Sequence, residues 1–125
     1  MKKVLIIKKI HKSGIKLIEN RDDFSYEVVE NIEINFLKNK LKDCEAVSLR
    51  VFKFNKELIE AATKLKIISR HGVGYDNVDI ESVKKKNITL AITAKANAGS
   101  VAEHVFFMML NISRGIDIYD KCVRE

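Results

Sequence analysis

The chain has 125 residues, enough for one domain and short for two ordinary ones. Its 46% apolar and 32% charged residues read as a soluble globular protein, and no apolar run reaches the roughly 18 residues of a membrane span, so no membrane partner is expected. A net charge of +6 raises nucleic-acid binding, but no basic helix with interleaved aromatics and no nucleic-acid motif is present, so no nucleic-acid partner is expected. The lysines fall into two groups. Lys2, Lys3, Lys8, Lys9 and Lys12 read as solubilising an edge strand, and Lys84, Lys85 and Lys86 as cations at a helix C-terminus. Cys44 and Cys122 are isolated, without CxxC spacing or histidine company, which predicts reduced thiols and no metal. The start, Met1-Lys-Lys-Val-Leu-Ile-Ile-Lys-Lys, is charged again too soon for a secretory segment, so a cytoplasmic location is expected.

Taken in chain order, Lys3–Lys8 is a Val/Ile-rich strand. Ser13–Asn20 carries Ile15, Leu17 and Ile18 at helical spacing, with Ser13 as N-cap. Phe24–Glu30 alternates as a strand. Ile32–Leu41 places Ile32, Ile34, Phe36, Leu37 and Leu41 on a helical stripe. Cys44–Leu49 is a third strand, Asn55–Lys64 a helix, and Lys66–Ser69 a fourth strand. Asp79–Lys86 is a short helix, Asn87–Thr93 a fifth strand, and Ser100–Val123 one long helix. The continuously apolar Val4–Ile7 and Leu90–Ile92 suit parallel strands buried on both faces. This alternation predicts a three-layer α/β fold, flavodoxin-like or Rossmann-like, with about five strands in order 2-1-3-4-5 and a long C-terminal helix. Residues 1–125 read as a single domain.

The most informative stretch is Arg70-His-Gly-Val-Gly-Tyr-Asp-Asn-Val-Asp79. It leaves a strand, passes Gly72 and Gly74, and enters a helix whose N-cap is Asp76, Asn77 or Asp79. A dinucleotide fingerprint fits poorly. Its third glycine position holds Asn77, and no acid stands about twenty residues on, where the chain reads Ile92-Thr-Ala-Lys95. Two readings remain: a small-anion site built from backbone N–H groups, or a tight turn and nothing more.

Three blocks carry a stronger signal together. Ser69-Arg-His-Gly-Val-Gly-Tyr-Asp-Asn-Val-Asp-Ile80, Lys86-Asn-Ile-Thr-Leu-Ala-Ile-Thr93 and Ala96-Asn-Ala-Gly-Ser-Val-Ala-Glu-His104 resemble the NAD-dependent D-2-hydroxyacid dehydrogenases, with phosphoglycerate dehydrogenase the nearest flavour. The resemblance covers essentially the whole chain and implies the substrate-binding, or catalytic, domain of such an oxidoreductase. It implies that the backbone of Gly72, Val73 and Gly74 holds a substrate carboxylate. It implies that Arg50 faces carboxylate or phosphate, and that Asn97 lies at the cleft. The implied ligand is a small 2-hydroxy or 2-keto acid anion.

Three departures qualify it. Ala94 replaces a usual proline. Val51 and Phe52 follow Arg50 where the family often has a second polar or basic residue, which weakens the case for a phosphorylated substrate. The nucleotide-binding half, with its glycine-rich motif and catalytic Arg, Glu and His, is not among residues 1–125. The expectation is therefore a domain that is inactive alone, with NAD the family's cofactor but not bound tightly here. The alternatives are a stand-alone small-acid binding module and an interaction protein that dimerises through its last helix.

Glu103-His104 resembles an acid–base pair, but adjacent helical residues point about 100° apart. Glu103 reads as a first-turn carboxylate, forming a capping box with Ser100, and His104 as an interface residue. His11 is expected to rim the cleft. Val105-Phe-Phe-Met-Met-Leu110 is apolar on every side of the helix, so self-association through residues 100–123 is expected.

Overall fold

The run Lys2-Lys-Val-Leu-Ile-Ile7 forms β1, whose Leu5, Ile6 and Ile7 are buried on alternating faces, as an interior parallel strand requires. The computed structural model describes residues Met1–Glu125, which form two compact units, Met1–Thr93 and Ala94–Glu125. In the first, β1 (Lys2–Ile7), α1 (Lys12–Glu19), β2 (Phe24–Val29), α2 (Ile34–Leu41) and β3 (Ala46–Leu49) lead on to α3 (Lys56–Ala61), β4 (Ile67–Arg70), α4 (Ile80–Lys85) and β5 (Thr89–Ile92). All pairings are parallel, and the strand order is β2-β1-β3-β4-β5, as the sequence predicts. Helices α2, α3 and α4 cover one face. There Leu37, Leu41, Leu58, Ile59 and Val83 pack on Leu5, Ile7, Val47, Leu49 and Ile68. On the other face α1 stands over Val4, Ala46 and Ser48, and none of its residues is fully buried.

That second face is open over β4, where Ile67 is 37% exposed and Ser69 is exposed beside it. The stretch Leu90–Ile92 is accordingly not buried on both faces. Leu90 and Ala91 are half-buried and Ile92 is exposed, because β5 is the edge strand. Conversely, Lys2 and Lys3 do not guard an edge. Strand β1 is interior, and the two lysines pair with Asp23 at 3.3 Å and Glu27 at 3.5 Å.

Caps explain the shifted helix starts. The Nδ1 of His11 accepts the Ser13 N–H at 3.3 Å, so His11 rather than Ser13 is the N-cap of α1. The Asn31 side chain accepts the Glu33 N–H at 2.9 Å, an Asx turn that delays α2 to Ile34 and leaves Ile32 and Ile34 exposed instead of in the stripe. Asn55 caps α3, and Asp79, of the three candidates, caps α4.

Residues Ala94–Glu125 form α5 (Ala98–Arg114) and α6 (Ile116–Arg124) rather than one helix over 100–123. Gly115 separates them at φ 59°, the left-handed conformation in which glycine ends helices. Because α5 begins after Asn97, Ser100 lies inside the helix and does not cap it with Glu103. Val105–Leu110 are all exposed, and His104 stacks on Phe107 with ring centroids 6.0 Å apart. No helix is long and apolar enough to cross a membrane.

Several carboxylates are held below their ordinary range. Hydrogen bonds from Arg21 bring Asp23 from 3.8 to about 2. Lys40 lowers Glu27, Lys64 lowers Asp43, Lys66 lowers Glu45, and the Ser82 backbone N–H lowers Asp79. Each folded value lies below its unfolded one, so the unfolded chain takes up protons first. The stabilisation is complete above the unfolded values, near pH 4, and is lost as pH falls toward 2. Thermal midpoints should hold steady down to about pH 5 and fall below it. Salt should blunt the drop, since these pairs are exposed. A midpoint that rises on acidification contradicts this.

Candidate active site

Strands β3 and β4 end side by side, Leu49 paired with Arg70, so Arg50 and His71 leave the sheet as neighbours. The His71 N–H donates to the Leu49 carbonyl at 2.8 Å. The chain then turns sharply. The Gly72 N–H donates to the Arg70 carbonyl at 3.0 Å, and the Gly72 carbonyl accepts the Thr93 N–H at 3.0 Å, which ties the turn to the end of β5.

The two glycines serve different ends. Gly72 sits at φ 151°, a backbone conformation that side chains rarely adopt, so the fold itself favours glycine there; the Arg70 guanidinium, the mobile end of its side chain, rests in the space left open. Gly74 has no positive φ, and a Cβ there would meet only Asp76 Oδ2 at 3.5 Å, an ordinary contact. The fold does not require glycine at 74. The N–H groups of Val73 and Gly74 find no acceptor within the chain, and both residues are exposed. Together they form a small surface of backbone donors that a ligand oxygen can reach without meeting a side chain at 74.

Asn77 ties this turn to the segment after β3. Its Nδ2 donates to the carbonyls of Arg50 at 3.3 Å and Phe52 at 2.6 Å. Its main-chain carbonyl accepts the Phe54 N–H at 2.7 Å, and Phe54 bridges to Val78. The Arg50 side chain is exposed and makes no ion pair or hydrogen bond within the chain, which leaves its guanidinium available for an external anion. The N-terminus of α4 is not part of the cradle, because the Asp79 carboxylate already accepts the Ser82 N–H there at 2.9 Å.

The structure thus brings Arg50, Gly72, Val73 and Gly74 into one stretch of surface. Asn97 belongs to the second unit, at the start of α5, where its side chain makes no capping bond. His11 lines a cavity of about 420 Å³ with Ser48, Ser69, His71 and Thr93 on the α1 face of the sheet. Two contributors went unread in the sequence. Arg70 folds over the turn, donating to the His71 carbonyl at 3.2 Å, and Asn77 acts as the tie. In the sequence Asn77 stands out as a candidate N-cap and as the residue at the third-glycine position of a dinucleotide turn, neither of which points to this tie. Its amide is committed to the Arg50 and Phe52 carbonyls. Exposed backbone N–H donors and a guanidinium without an internal partner are groups of the kind that bind a carboxylate.

Residues 4–117 match the family described as D-isomer specific 2-hydroxyacid dehydrogenase, catalytic domain. The chain is 34% identical over 127 residues to the glyoxylate reductase of Thermococcus onnurineus, an alignment spanning 98% of this chain and 37% of that protein. It is 35% identical over 117 residues to the D-3-phosphoglycerate dehydrogenase of Methanocaldococcus jannaschii, covering 93% of this chain and 22% of that one. Among solved structures, the NAD+-bound 3-phosphoglycerate dehydrogenase of Entamoeba histolytica is similar with a TM-score of 0.74 and 29% identity, over 88% of this chain and 38% of that one. The chain spans less than half the length of each of these relatives.

Proposed function

Because the chain belongs to the D-isomer specific 2-hydroxyacid dehydrogenase family, we propose that residues 1–125 are the substrate-binding part of an oxidoreductase acting on the CH–OH group of a small 2-hydroxy acid. In this reading the N–H groups of Val73 and Gly74, in the turn that Gly72 opens, hold the carboxylate with the Arg50 guanidinium. The observation that carries it is Gly74, a glycine the fold does not demand, whose N–H and that of Val73 are unpartnered in a turn that Asn77 ties to the Arg50 backbone. Arg50 supplies the charge and the amides supply direction. Val51 is 76% exposed and Phe52 packs against the core, so apolar side chains follow Arg50, which favours an unphosphorylated acid.

NAD+ is bound in the Entamoeba relative's structure. The glycine turn does not match a dinucleotide fingerprint, since Asn77 stands at its third-glycine position with its amide engaged. We assign the nicotinamide chemistry and the general base to the part of such an oxidoreductase that lies outside the matched span, and the free Cys44 and Cys122 support a cytoplasmic setting. The 125-residue chain with NAD+ and D-lactate or D-3-phosphoglycerate should give no NADH, and measurable turnover contradicts this assignment.

Gly74→Ala gives a second expected outcome. The variant should fold with its thermal midpoint within a few degrees of the parent, because its Cβ meets no backbone. Its affinity for oxalate, a small dicarboxylate probe, should fall about tenfold, as one displaced charge-assisted bond implies. A lost fold, or unchanged oxalate affinity, removes the argument from Gly74.

A second reading, self-association, rests on α5. Val105, Phe106, Phe107, Met108, Met109 and Leu110 are consecutive and all exposed, so the apolar surface runs round the helix. Sedimentation velocity at high micromolar concentration should give a dimer or larger species, and a clean monomer refutes it.

A further inference from the structure

We propose that Asn77 is a positioning residue for the carboxylate site, its side-chain amide fixing Arg50 against the glycine turn. The inference rests on the substrate reading above. An asparagine amide offers two N–H donors and one carbonyl acceptor, and every kind of group is used here. The Nδ2 donates to the Arg50 and Phe52 carbonyls at 3.3 and 2.6 Å, and the Oδ1 accepts the Arg70 Nε–H at 3.4 Å. These partners belong to two chain segments. Arg50 and Phe52 follow β3, whereas Arg70 closes β4 immediately before the turn. One side chain therefore sets the separation between the residue that carries the charge and the amides that carry the direction.

The main chain supplies a second link that Asn77 substitutions leave in place. The Phe54 N–H donates to the Asn77 carbonyl at 2.7 Å, and the Asp79 N–H donates to the Phe54 carbonyl at 3.1 Å. These bonds hold residues 54 and 77–79 together whatever side chain stands at 77. Removing the amide frees the Arg50 and Phe52 carbonyls and leaves the Arg70 Nε–H without its partner, while these main-chain bonds stay. The consequence falls on the reach of Arg50 rather than on the fold. Aspartate keeps the size and shape of asparagine but places a carboxylate oxygen against two carbonyl oxygens, so it breaks the tie by repulsion.

A double-mutant cycle on the 125-residue chain, with oxalate as probe and calorimetry as readout, tests this. Asn77→Ala should weaken oxalate binding about tenfold in the parent and less than about twofold in the Arg50→Ala background, a coupling expected of residues that act as a unit. Should Asn77→Ala fail to fold, Asn77→Asp takes its place in the cycle. Effects that simply multiply, or an unaltered affinity, overturn the proposal. If the parent binds no oxalate in an Arg50-dependent way, the substrate reading itself has failed, and 15N relaxation of the ligand-free chain then decides the positioning role. Raised mobility confined to Arg50–Phe52 in Asn77→Ala, with β3 amides unchanged, upholds it. Unchanged relaxation at these residues overturns it.

Discussion

Arg50→Ala lowers oxalate affinity by about tenfold to a hundredfold and leaves thermal stability nearly unchanged. The magnitude follows from losing a charge-assisted contact of about 1.5–3 kcal/mol. The selectivity follows from the structure. The side chain is exposed and free of internal ion pairs, and the carbonyl that Asn77 grips belongs to the backbone, which alanine keeps. Arg50→Lys should recover only part of the affinity, because an ammonium keeps the charge and loses the planar fork that meets a carboxylate through two bonds. Added salt should weaken the parent more than Arg50→Ala. A variant that binds as tightly as the parent shows that Arg50 does not face the ligand.

Phe54→Ala carries the largest expected loss of stability. Phe54 is fully buried in the core cluster, and its backbone makes the isolated bridge to Val78 that joins the segments after β3 and β4. Truncating a buried phenylalanine costs about 3–5 kcal/mol, a large part of the roughly 5–15 kcal/mol of a typical domain. The urea midpoint should fall steeply with little change in slope. Anion affinity in whatever fraction remains folded should also fall, since the bridge that holds Arg50 near the turn loses its packing. A loss below about 1 kcal/mol contradicts the view that Phe54 anchors the site to the core.

The sheet was legible in the sequence because its cause is local. Short apolar runs such as Val4–Ile7 and Val47–Leu49, separated by single helices, leave few parallel arrangements, and strand order 2-1-3-4-5 is one of them. The break at Gly115 was hidden because Ile116 and Ile118 continue the apolar spacing beyond it. The true N-cap of α1 was hidden because histidine seldom caps helices, while Ser13 beside it usually does. The open face over β4 has a faint signature in Lys66-Ile-Ile-Ser-Arg70. Ile67 and Ser69 share a side, and the serine marks it as less apolar than the Ile68 side.

The candidate site divides in the same way. Gly72, Val73, Gly74 and Arg50 stood out because the glycine spacing and the family resemblance mark them. That Gly72 serves the fold and Gly74 does not is read only from the backbone, where φ is 151° at Gly72 and not positive at Gly74. Asn77 grips carbonyls 27 and 25 residues away, a separation that no window of sequence encodes. Its role became visible only once the ends of β3 and β4 were side by side.

The most direct measurement is a 1H–15N titration of the 125-residue chain with oxalate. The account predicts saturable shifts largest at the Val73 and Gly74 amides and the Arg50 Nε, absent from Arg50→Ala. Shifts that do not saturate, or that centre instead on the Lys84–Lys86 cluster, contradict the claim that this turn is a carboxylate cradle.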